Sequence, residues 1–145
     1  MQDSKIYSVL AMAGVTPFIA CALLPLVGIE SIEPFGALDR LAATYGLAIV
    51  SFLTGIHWAT QVYEPQESPF NLLLVSNAVF LFTWFAFVLG RVETALGAQL
   101  VALLVLLGID RWLHTTGLIS RHYLGVRTVA TSLAAVSLLI MIFEG

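Results

Sequence analysis

Charge is scarce in this sequence. Asp, Glu, Lys and Arg make up 10% of its 145 residues, where a water-soluble domain carries about 25%. Hydrophobic residues make up 59%, and the mean hydropathy is +0.96. A chain this short has too much surface for its volume to hide so much apolar side chain from water. Lipid has to be the solvent for most of it. Cysteine is almost missing as well. The single Cys21 excludes a disulfide framework and any cysteine-rich metal site. A lipidated Cys21 after Phe18-Ile19-Ala20 is rejected too: the N-terminal tail is not distinctly basic, and residues 22–27 are apolar where a polar tether belongs. Cys21 reads as a small buried hydrophobe. Basic residues are scattered singly and the formal net charge is −3, which argues against nucleic acid as a partner and against a polybasic lipid-binding cluster. Internal repeats are missing, and no stretch outside the apolar runs is long enough for a soluble domain.

What is present is a series of uncharged runs, residues 6–29, 41–63, 68–90, 94–109 and 128–143. A membrane helix needs about 20 mostly apolar residues. The first three runs meet that alone, and the last two meet it once Glu93, Asp110 and Arg127 snorkel toward the interface. Backbone amides in hydrocarbon must be satisfied within their own segment, so each run is expected to be a helix. The short alternating segments of a membrane barrel are missing. The expectation is an all-α integral membrane protein, a five-transmembrane-helix bundle forming a single domain over 1–145. Its helices are expected near 6–29, 39–62, 69–90, 93–111 and 123–143. Pro17 falls inside the first and predicts a kink, because it removes a backbone donor and crowds the preceding turn. Residues 91–94 predict a tight turn, and 111–123 the longest connection, carrying Trp112, His114 and His122. Lys5, Arg111, Arg121 and Arg127 fall on one side of such a bundle, and Arg40 and Arg91 on the other. The positive-inside rule then predicts an N-terminus in the cytoplasm, or the equivalent matrix side, and a C-terminus outside.

Ionisable groups at membrane depth are functional candidates by default. On the second helix Thr54, His57 and Gln61 share a stripe at helical spacing, beside a small-residue stripe of Ala48, Ser51, Gly55 and Ala59. Small residues let another helix approach closely, so this helix is expected at the bundle centre. The topology brings His57 and Trp58 to one depth with Asn71 and Asn77 of the third helix, Asp110 of the fourth and Arg127 of the fifth. A shared hydrogen-bonded cavity open to the cytoplasm is expected there, with Asp110 and Arg127 as an ion pair between neighbouring helices. The plainer alternative has Arg127 snorkelling to the headgroups and Trp58, Trp84 and Trp112 as belt or packing aromatics. In it His57 and Asn77 are interhelical glue, worth about 0.6 kcal/mol each.

Specific chemistries lack their parts. Haem needs a second axial ligand at the depth of His57, and His114 and His122 fall in a connection. Zinc needs more ligands than these histidines supply, and no thiolate is near. Gly14, Gly55 and Gly108 form no phosphate loop, and no serine, histidine and acid are tied to a nucleophile elbow. No catalytic residue, metal or cofactor is expected.

Several residues carry a likeness. Thr16-Pro17-Phe18, Tyr45-Gly46 through Ser51-Phe52 to Gly55-Ile56-His57-Trp58, Ser76 with Trp84, and Tyr123-Leu124 with Arg127 and Thr131 form one ordered set. The sequence resembles a family of small bacterial inner-membrane proteins of unknown function that includes the mitochondrial transmembrane protein sixty-nine. The likeness spans helices one to three and five, and Gly-Ile-His-Trp is its most specific piece. Ala59 stands where a glycine is expected. The resemblance implies an inner-membrane location and this architecture, and no activity. Within those bounds a non-catalytic accessory or assembly factor is expected, packing in the bilayer with a larger inner-membrane complex or with itself. The alternative is a small transporter or ligand-binding membrane protein with a cytoplasm-side polar cavity around His57.

Overall fold

Proline and glycine, more than charge, decide where these helices end. In the computed structural model, which describes residues 2–64 and 71–144, α1 spans Gln2–Leu23. Pro25 has no amide to continue the ladder, so the chain tightens into a 3-10 turn over Leu24–Val27, closed by Gly28 at φ 91°. Glycine adopts that left-handed geometry without a Cβ clash. The first helix therefore stops short of the end of its apolar run. A two-stranded hairpin follows, β1 (Ser31–Ile32) antiparallel to β2 (Gly36–Ala37). Then come α2 (Leu38–Tyr63), α3 (Leu72–Leu89), α4 (Val92–Thr115) and α5 (Arg121–Glu144). Residues 65–70, with the proline-bounded second connection and the expected start of the third helix, lie outside the described residues.

All five helices are long and apolar enough to cross a membrane. The fold is an all-α five-helix bundle. Its fourth helix corrects the expected boundary at residue 111: Trp112 and His114 belong to the last turn of α4, not to a connection. Asp110 looked like a helix end because charge punctuates membrane sequences. Here it is only 2% exposed, so it lies inside the bundle and the helix carries on past it. The true stop is a Schellman turn, with Leu118 N–H on the Leu113 carbonyl and Gly117 N–H on that of His114, both 3.1 Å. Gly117 takes the left-handed position at φ 90°. The α3–α4 corner is tighter still. A Cβ on Gly90 would lie 2.6 Å from the Ala86 carbonyl oxygen and 2.9 Å from the Thr94 side chain.

Helix α2 packs on α1, α3 and α4, and α4 on α2, α3 and α5. The two share the centre that the small-residue pattern assigned to α2 alone. The seam of α2 is also one stripe away from the expected one. Ala48, Gly55 and Ala59 are exposed, while Ala42, Ala43, Gly46 and Val50 are buried. The reason lies on α4. Fully buried Gln99 donates from Nε2 to the Ala43 carbonyl at 2.7 Å, and its amide occupies the space a Cβ on Gly46 would need.

The helix continues through Pro17. What the proline leaves is a spare acceptor, because the Ala13 carbonyl lacks its usual amide donor four residues on. The Thr16 hydroxyl donates to it at 2.7 Å. One residue along, the Tyr45 hydroxyl of α2 donates to the Gly14 carbonyl at 2.6 Å, and the Phe18 ring meets the Tyr45 ring edge-on at 5.2 Å between centroids. Thr16-Pro17-Phe18 and Tyr45-Gly46 are thus two sides of one joint between α1, α2 and α4. Gly46→Ala should overpack it and cost about 1–3 kcal/mol, read as a lower unfolding temperature of the purified protein. Gly55→Ala, where a Cβ meets nothing within 4 Å, should leave that temperature unchanged.

Candidate functional site

Among the described residues Asp110 is the only buried carboxylate. It sits near the C-terminal end of α4. The short turn at 116–120 then brings the first turns of α5 back beside it. Arg127 reaches it from α5 with Nε donating to Oδ2 at 2.9 Å, and His57 reaches it from α2 with Nε2 on Oδ1 at 2.8 Å. A carboxylate oxygen only accepts, so this bond places the imidazole proton on Nε2. Arg127 Nη1 also donates to the Thr131 hydroxyl oxygen, one turn further along α5, at 3.2 Å. His57 is 2% exposed, Thr131 2% and Arg127 8%. Arg127 does not snorkel. It is held inside the bundle as half of the expected ion pair with Asp110.

Other residues of the expected cluster take separate places. Gln61 is buried beside the network's helix but turns to α3, where its Oε1 accepts from the Leu72 amide at 3.4 Å. Thr54 is buried and donates within its own helix, to the Ser51 carbonyl at 3.0 Å. Three residues fall outside altogether. Trp58 is 46% exposed, since the residue next to His57 points about a hundred degrees away around the helix. Asn71 is the N-cap of α3, accepting from the Leu73 amide at 2.8 Å, a bond that uses its side chain locally. Asn77 lies exposed on the outer face of α3. A common depth placed these residues in one layer, but helix rotation decided which of them meet.

Two buried donors and acceptors in this layer lack a protein partner, Arg127 Nη2 and His57 Nδ1. Beside Arg127 lies a cavity of about 570 Å³ between α1, α2 and α5, lined also by Leu103 of α4. Its walls are mostly apolar, with Gly14, Ala48, Ala130 and Ala134 among larger residues such as Ile49 and Leu53, except where Arg127, Thr131 and the rings of Tyr7 and Tyr123 meet it. Those two rings touch edge-on at 5.4 Å and the Ser8 hydroxyl bonds His122 Nε2 at 3.0 Å, so α1 and α5 are tied together beside the cavity. Leu10 and Phe52 also line it and are 64% and 67% exposed, so the cavity reaches the flank that lipid would cover. The volume falls within the range of about 300–1,000 Å³ typical of small-molecule pockets.

The same residues match a family over almost the whole chain, residues 4–143. The chain belongs to the DUF3429 family. Its description is "protein of unknown function", so membership carries no activity to these residues. No curated protein and no solved structure matches the chain.

Sequence reasoning passed over Gln99, the lone side-chain amide in the fourth apolar run, and Thr131 as a partner of Arg127. Both could have been noticed as polar groups inside otherwise apolar helices. Among the described residues no group of three or more His, Cys, Asp or Glu side chains could hold a metal ion. The network itself makes a clear demand on stability. Asp110→Asn leaves the Arg127 charge buried without its counter-ion, and breaking such a pair costs about 3–5 kcal/mol. Asp110→Asn combined with Arg127→Gln removes both charges and should recover part of that loss. Thermal unfolding of the purified single and double variants measures the coupling.

Proposed function

We propose that this protein is a ligand-binding membrane protein that takes an amphiphile from the bilayer into the cavity between α1, α2 and α5. One observation carries the proposal: Arg127 is fixed inside the bundle by Asp110, yet lines a mostly apolar cavity and keeps one terminal nitrogen without a protein partner. A guanidinium that served only to hold helices together would not need a cavity beside it. The network locks the arginine so that it does not swing out to the interface, and the apolar slot beyond it accepts a chain. His57 acts here as a positioning residue for Asp110, at the far end from the cavity. The resemblance of Gly55-Ile56-His57-Trp58 to small bacterial inner-membrane proteins and the mitochondrial transmembrane protein sixty-nine supports an inner-membrane location. The bias of Lys5, Arg111, Arg121 and Arg127 toward one side supports a cytoplasmic N-terminus.

A second role, packing against a partner helix as an accessory subunit, draws support from Asn77. That amide is exposed on the outer face of α3, among Leu74, Leu81 and Phe85, each at least 46% exposed. A side-chain amide facing lipid is unfavourable, and another helix could satisfy it. The two roles separate on one comparison. Ala48 lines the cavity and is exposed, so Ala48→Trp should block the slot without disturbing the core. Lipid extraction and mass spectrometry of the full chain purified in nanodiscs should find an amphiphile enriched over bulk lipid in the wild type and lost in Ala48→Trp. Equal lipid content in both, with a stoichiometric partner protein that Asn77→Leu releases, would favour the accessory role.

A further inference from the structure

The side-chain amides and hydroxyls of α3 are satisfied locally, with one exception. Asn71 caps the helix by accepting from the Leu73 amide. Ser76 and Thr83, both buried, donate to the Leu73 and Val79 carbonyls at 3.2 Å and 2.9 Å. The Asn77 amide is exposed, and none of the described residues bonds it. At 1.5 Å per residue it stands about 8 Å from one end of α3 and about 18 Å from the other. That is inside a hydrocarbon layer about 30 Å thick, where an amide without partners is costly. The helix that carries it is also the least covered. Its buried residues are Leu72, Ser76 and Thr83, 17% of the span, against 22–44% in comparable stretches of the other four helices.

The exposed residues around Asn77 repeat with the spacing of a two-helix seam. Leu74, Asn77, Leu81, Trp84 and Val88 are all exposed and follow one another at steps of three and four, the pattern by which parallel helices interlock. Ala78, next to the amide, is exposed and small, so a second backbone can come close there. We infer that α3 is the interface of a homodimer in which the Asn77 amides of two copies hydrogen-bond each other across a twofold axis normal to the membrane. A side-chain amide carries both donor and acceptor, so each Nδ2 donates to the other copy's Oδ1 and both groups are satisfied. Copies that insert with the same orientation present parallel α3 helices, which brings Asn77 to Asn77 at one depth without further adjustment. A different protein would need its own amide at that depth. One polar residue in a mostly apolar seam also fixes its register. The cavity is lined from α1, α2, α4 and α5, so the dimer leaves it free and the inference stands apart from ligand binding.

Cysteine cross-linking of the full chain in membrane vesicles tests the interface. In a Cys21→Ala background, Leu74→Cys, Leu81→Cys and Val88→Cys should each form disulfide-linked dimers under copper phenanthroline. Phe82→Cys and Leu89→Cys, exposed on the same helix but one position off the seam, should cross-link far more slowly. The dissociation constant of the dimer, measured on the purified chain across a detergent dilution series, gives a second readout. Asn77→Leu should raise it about tenfold, the effect of losing two interhelical hydrogen bonds of average strength. Asn77→Gln keeps an amide in the seam and should stay close to the wild type. Equal cross-linking at all five positions, or an unchanged dissociation constant in Asn77→Leu, overturns the dimer. A monomeric chain that instead holds a different protein in stoichiometric amount, released by Asn77→Leu, also overturns it and is the outcome expected of an accessory subunit. Ala48→Trp should leave dimerisation unchanged, so failure of the dimer and failure of ligand binding are read separately.

Discussion

A carboxylate buried in a bundle that lipid surrounds must keep its partners, and Asp110 has two. Arg127 binds one of its oxygens and His57 the other, so the acid joins α4 to α5 and to α2 at one level. In hydrocarbon an unpaired charge costs far more than a missed apolar contact. That asymmetry sets the register of three helices at once. Sliding α5 by a turn, or rotating α2 by one residue, would leave a full charge or an imidazole without its bond.

The rest of the bundle is joined through backbone carbonyls. Gln99 donates to the Ala43 carbonyl and fills the notch at Gly46, while Tyr45 donates to the Gly14 carbonyl beside Pro17. Both donors use carbonyls of a helix rather than side-chain partners, which works in lipid because a carbonyl has a second lone pair free after its helical bond. Apolar association contributes little between helices already surrounded by hydrocarbon, so close packing and such bonds carry the specificity. Helix α1 leans on α5 more than on α2, and the space left between α1 and α2 is where the cavity opens. Opening and fastening therefore have the same origin: α2 turns its small buried face to Gln99 of α4, and leaves Ala48 and Phe52 facing the gap.

Much of this could be read from residue order alone, and what could not has definite causes. Runs without charge located all five helices, because hydrocarbon permits little else. Asp110 and Arg127 could be paired in advance, since a short connection between antiparallel helices returns the chain to the same depth. Depth, however, is only one coordinate. Trp58, Asn71 and Asn77 sit at the expected level and still face elsewhere, because rotation about each helix axis depends on contacts such as Gln99 against Gly46 that no single-helix pattern contains. The same gap misplaced the close-packing seam of α2 by one stripe. The end of α4 was misjudged for a different reason: charge marks a membrane boundary only when the charge is unpaired.

In the proposed site Arg127, locked by Asp110, presents one end of a lateral cavity to a lipid-like ligand. The most direct test is photolabelling of the full chain in membranes with an amphiphile that carries a diazirine next to its carbonyl. Saturable adducts are expected on the cavity walls close to Arg127, on Tyr123, Val126 and Ala130 of α5 and on Tyr7 of α1, displaced by excess unlabelled compound. Unsaturable adducts spread over the exposed faces of α3 and α5, with none concentrated near Arg127, would contradict it.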